Sequence, residues 1–110
     1  MSILTLTSTQ RSALRAQAHE LSPVVMIGDA GLTDAIVAET EHALTAHQLI
    51  KVRVFSDEKE TRATYAQMLC DKLNAALVQH IGKLLVLYRP ESHAPKKASL
   101  AQTLAGETGT

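Results

Sequence analysis

The chain has 110 residues, eleven basic and eleven acidic side chains, and one cysteine. This length supports a single domain with one modest core, and a lone cysteine excludes an internal disulfide and points to a reducing compartment, expected to be the cytoplasm. Aromatics at 3% are too few for broad base stacking, and the cancelled charge leaves a nucleic-acid binder only a local basic patch to work with.

Residues 1–6 add little, and no charged-then-apolar leader precedes the first expected helix. Thr7 and Gln10 stand in capping-box register, and Leu14, Ala18 and Leu21 follow on one side at helical spacing. This predicts a helix from Ser8 to about His19. Pro23 stops it and hands over to a buried strand, Val24–Ile27.

The stretch PVVMIGDAGLTDAIV then organises the rest of the chain. Gly28 and Gly31 bracket Asp29 and Ala30 in a turn, and Thr33 is placed to cap a second helix from Asp34 to about His47. Leu32 and Val37 are spaced as a hydrophobic staple. A glycine-bracketed turn before a helix N-terminus offers free N–H donors and a partial positive charge, hence a place for a phosphate. From spacing alone, the glycines could equally be turn residues and nothing more.

Strand two, Leu49–Phe55, alternates cleanly. Ile50, Val52 and Val54 point one way; Lys51, Arg53 and Phe55 point the other, which predicts a wet, basic sheet face. Asp57 and Glu60 then suggest a second capping box, opening a third helix that ends near Asn74 with Ala66, Leu69 and Leu73 on its inner stripe. Strands three (Leu77–Ile81) and four (Leu84–Arg89) flank Gly82–Lys83, a two-residue hairpin with glycine first. Residues 91–110 read as a mobile tail with a short helix over 98–105.

The expected architecture is a small two-layer α/β sandwich, α-β-α-β-α-β-β, with a four-stranded mixed sheet. Crossovers imply parallel pairing among strands one, two and three. No apolar run approaches the ~20 residues of a membrane span. The histidines show no metal-ligand spacing with Cys70 or with each other, and Cys70 sits on the inner side of helix three, so no metal and no cofactor is expected.

In PVVMIGDAGLTDAIVAETEHALTAHQLIKVRV and the late IGKLLVLYRP, the chain resembles the YhbY family of small bacterial proteins. These consist of one CRM domain, the RNA-binding module named for chloroplast RNA splicing and ribosome maturation. The resemblance covers residues 4–90. It rests on G-x-x-G-L-T after a strand, L-I-K-V between helices, and G-K-x-x-V-L-Y-R at the end. It implies an architecture related to the C-terminal domain of translation initiation factor three, RNA binding, association with precursors of the large ribosomal subunit, and no catalysis. It carries the RNA contact over to Gly28, Asp29, Ala30 and Gly31, assisted by basic residues for which Lys51, Arg53, Lys83 and Arg89 are the candidates. Arg11 and Arg15 on helix one could join them. Asp29 departs from the neutral or basic residues usual in this loop; its carboxylate either opposes a phosphate or turns away to support the turn.

Two other functions compete with a monomeric RNA binder. One is a small enzyme using GDAG for a ligand phosphate, although the P-loop Lys-Ser/Thr and the G-x-G-x-x-G pattern are both missing. The other is a protein adaptor docking on a ribosomal protein.

Overall fold

Local chemistry sets most of the helix starts. Thr7 caps the first helix through a complete capping box: Gln10 N–H donates to Thr7 Oγ1 at 3.0 Å, and Thr7 N–H donates to Gln10 Oε1 at 2.9 Å. Thr33 caps the second by accepting from Ile36 N–H at 3.1 Å. The computed structural model describes residues 6–90 as α1 (Ser8–Ala18), β1 (Pro23–Ile27), α2 (Asp34–His47), β2 (Leu49–Val54), α3 (Lys59–Leu73), β3 (Ala76–Ile81) and β4 (Leu84–Tyr88). The tail and its expected helix lie outside the described residues.

The third helix start differs from expectation. Glu58 occupies the cap position without a side-chain bond, and no Asp57–Glu60 box forms. Asp57 is drawn instead to Lys83 of the β3–β4 turn, 2.9 Å away. At its other end α3 stops as expected, on Asn74 in the left-handed region.

The strands form one mixed sheet in the order β1-β2-β4-β3. β1 and β2 are parallel, and β4 is antiparallel to both its neighbours. The expected direct pairing of strands two and three is therefore corrected. The tight Gly82–Lys83 turn, with Gly82 at φ +54°, folds β4 back against β3, and β4 fills the place next to β2.

One face of the sheet carries the main core. Val25, Ile27, Ile50, Val52, Val54, Leu85 and Leu87 pack under Ala43 and Leu44 of α2 and Ala66, Leu69, Cys70 and Leu73 of α3. Leu32 and Val37, the expected staple pair, both lie against this core. Helix α1 goes to the other face, where Leu14 and Ala18 close over Val78 and Val86, with Leu49 and Tyr88 beside them. Val86 alternates with Leu85 and Leu87, so the two cores lie on opposite sides. The face read as wet is thus partly covered by α1, and the expected two-layer sandwich is corrected to three layers, with α1 on one side of the sheet and α2 and α3 on the other. Val78 and Gln79 share one partner, Val86, in a bulge. Arg11 braces it by donating to the carbonyls of Leu77 and Val78.

Candidate nucleic-acid interface

Because β1, β2 and β3 point the same way, their C-terminal ends gather at one end of the sheet. Phe55 N–H donates to Ile27 O at 2.9 Å, and Val54 N–H to Lys83 O at 2.8 Å. The GDAG turn, Phe55 and the Gly82–Lys83 turn are brought together there.

The GDAG segment is a hydrogen-bonded turn, Gly31 N–H donating to Gly28 O at 3.0 Å. Asp29 and Ala30 keep negative φ, which suits a type I turn with glycine in the last place. The two glycines differ in kind. Gly31 has φ +74°, and a Cβ added there would meet the Tyr65 hydroxyl of α3 at 2.9 Å. Around Gly28 a Cβ would meet nothing within 4 Å. Asp29 is exposed, and its carboxylate makes no hydrogen bond or ion pair among the described residues. It does not hold the turn together.

The basic candidates separate sharply. Arg53 is exposed, its guanidinium 5.1 Å from the centre of the Phe55 ring. Lys51, half-buried on the same face, has no acidic partner among the described residues. Lys83 reaches the same end of the sheet but is met by Asp57, whose carboxyl is held below its ordinary range by the hydrogen bond from Lys83 and then by its charge. Arg89 is corrected outright. It is 1% exposed, donates to both carboxylate oxygens of Glu41 at 2.6 and 3.1 Å, and also reaches Thr45 Oγ1 and Leu73 O. It is an interior tie between β4, α2 and α3, not part of a surface. Of the two helix-one arginines, Arg11 is spent on the bulge carbonyls, whereas Arg15 is exposed.

Arg15, His19 and Lys51 line a groove of about 420 Å³ between α1 and the sheet, floored by Gln79, Ile81, Leu84 and Val86. His19 and the groove itself had no signal in spacing. A signal did exist in the distribution of acids. Helix α1 and the four strands contain Arg11, Arg15, Lys51 and Arg53 and no Asp or Glu. Every described acidic residue lies on α2, on α3 or in a connecting segment. The net charge of zero therefore conceals a basic face formed by α1 and the sheet, while α2 and α3 carry a mixture, Asp34, Glu39, Glu41, Glu60 and Asp71 beside Lys59, Arg62 and Lys72.

These features define a small α/β domain with a glycine-bracketed strand-to-helix turn and a basic surface on one side. The chain belongs to the CRS1 / YhbY (CRM) domain family, whose model matches residues 6–89. A Haemophilus influenzae protein named as an RNA-binding protein is 46% identical over 90 residues, covering 82% of this chain and 91% of that one. The probable RNA-binding protein YqeI of Bacillus subtilis is 37% identical over 95 residues, covering 86% and 98%. Among solved structures, a hypothetical Staphylococcus aureus protein described as a candidate RNA binder superposes with a TM-score of 0.71 at 31% identity, covering 79% of this chain and 91% of its own.

Proposed function

We propose that this protein is a non-enzymatic RNA-binding module that holds the backbone of ribosomal RNA in precursors of the large subunit. The observation that carries the reading is the charge distribution: Arg15, Lys51 and Arg53, without acidic partners among the described residues, stand on elements that hold no Asp or Glu, and Arg53 lies at the end of the sheet where the glycine turn begins. The names of the relatives support an RNA partner. The assembly role rests on the family resemblance. The turn would contribute as a close backbone approach, comparable to the GXXG loop of KH domains. Against covalent chemistry, burial pushes the Cys70 thiol up to about 11, with the Asp71 charge adding to it; a nucleophilic cysteine needs the opposite shift.

The test is a salt series on one ribosomal RNA fragment. Each phosphate contact contributes roughly 0.7 to the slope of log affinity against log salt for single strands. Lys51→Gln/Arg53→Gln should therefore flatten the slope by roughly 0.7 to 1.4, for one or two lost phosphate contacts, with little change in melting temperature because exposed charges contribute little to folding. An unchanged slope sinks the sheet-face contact. In the same series Asp29→Lys should gain on the order of 1 kcal/mol at low salt, fading as screening grows. Equal affinity at every salt concentration would mean that the turn stays clear of RNA.

The assembly role has its own readout. In growing cells the tagged protein should co-sediment with large-subunit precursors at low salt. Recovery only from the soluble fraction would remove that part of the proposal.

A further inference from the structure

Helix α1 covers only part of its sheet face, and what it leaves bare is neither simply charged nor simply apolar. Met26, Phe55 and Ile81 are 53%, 48% and 53% exposed. Met26 stands opposite Arg53 in the β1–β2 register, and Leu84 stands opposite it on β4. Arg53 lies over the Phe55 ring. The bare area is thus an aromatic–guanidinium pair with apolar neighbours. The groove holding Arg15, His19 and Lys51 runs on from it toward α1.

Phosphates alone do not account for this surface. Cations satisfy phosphate, but an exposed ring, a methionine and an isoleucine gain nothing from it. A base face does suit them: stacking on aromatic rings and on arginine planes is how unpaired bases are held. Lys51, Arg53 and Phe55 follow one another on the same face at roughly 7 Å, twice the strand rise, a step an extended nucleotide chain can follow. A duplex offers no base face except at its ends.

We propose that this face is a site for single-stranded RNA, one unpaired base stacking on the Arg53–Phe55 pair while the adjoining backbone runs into the groove past Lys51 and Arg15. The proposal rests on the RNA-binding reading and names the form of RNA.

The chain contains no tryptophan, so Phe55→Trp places a single reporter at the stack. Titrations use oligouridylate, the oligoadenylate–oligouridylate duplex and oligoglutamate. Oligouridylate should quench the tryptophan and bind roughly tenfold more tightly than the duplex, the order of one stacked base. Phe55→Leu should lose roughly tenfold for oligouridylate and little for the duplex; Phe55→Tyr should keep wild-type affinity. Should Phe55→Leu melt early, the Phe55→Trp and Phe55→Tyr titrations decide alone. Unquenched emission, equal or tighter binding of the duplex, or oligoglutamate binding as well as RNA each overturns the single-strand site. Failure of both RNA forms to bind would overturn the RNA-binding reading as well.

Discussion

Replacing Glu41 with alanine should cost the fold about 3–5 kcal/mol, the loss typical when a buried ion pair is broken from one side. For a domain of this size that lowers the melting temperature by more than roughly 12 °C. The reason is the asymmetry of the pair. The Arg89 side chain is 1% exposed, whereas that of Glu41 is 26% exposed. Removing Glu41 strands a guanidinium that cannot reach water. Removing Arg89 leaves a carboxylate that can turn outward, and an orphaned Leu73 carbonyl. Arg89→Met should therefore be milder, about 2–3 kcal/mol. The double variant should recover much of what Glu41→Ala loses, since neither charge is left unpaired. Urea unfolding of the three variants checks this. A Glu41→Ala loss below about 0.5 kcal/mol, the level of an ordinary surface substitution, would show that the pair is not formed. Where it remains folded, Arg89→Met should bind RNA like the parent chain. A specific loss of affinity would return Arg89 to the interface.

The second large effect is expected at the turn. Gly31→Ala should destabilise by about 1–3 kcal/mol, because alanine at φ +74° is strained. The added methyl also meets the Tyr65 hydroxyl. Gly28→Ala, with open space and an ordinary backbone, should stay within about 0.5 kcal/mol. The two causes can be separated: Tyr65→Phe removes the hydroxyl, so in that background Gly31→Ala should recover the contact part and keep the dihedral part. Equal melting of both glycine variants would mean that Gly31 is not held in the left-handed region.

Features decided within a few residues of one another were legible in the sequence. The Thr7–Gln10 box, the Thr33 cap, the alternation of β2 and the glycine-first hairpin all formed where spacing put them. Features decided by distant partners were not. Asp57 stands in good capping register, but the hairpin brings Lys83 to it. Arg89 follows an apolar strand, just before Pro90, and reads as an exposed cation; Glu41, 48 positions earlier, takes it inside. On α3 the inner stripe includes Arg62, which donates to Ser56 O and to His80, while the neighbouring Ala63 faces solvent. Hydrophobicity alone ranks that pair the wrong way round. For the site, same-face placement of Lys51, Arg53 and Phe55 was readable. The groove was not, because it depends on which face α1 covers.

The restriction of a basic surface to one face of a chain with zero net charge also bears on the approach of the proposed partner. A uniformly basic protein carries a net field that draws it to any nucleic acid from a distance. Here the far field cancels, leaving a dipole whose pull weakens faster with separation. At physiological ionic strength screening cuts what remains within about 8 Å. Attraction then sets in only close by and in the orientation that presents Arg15, Lys51 and Arg53. On the proposed RNA-binding reading, the on-rate should be lower than that of a basic binder with the same contacts.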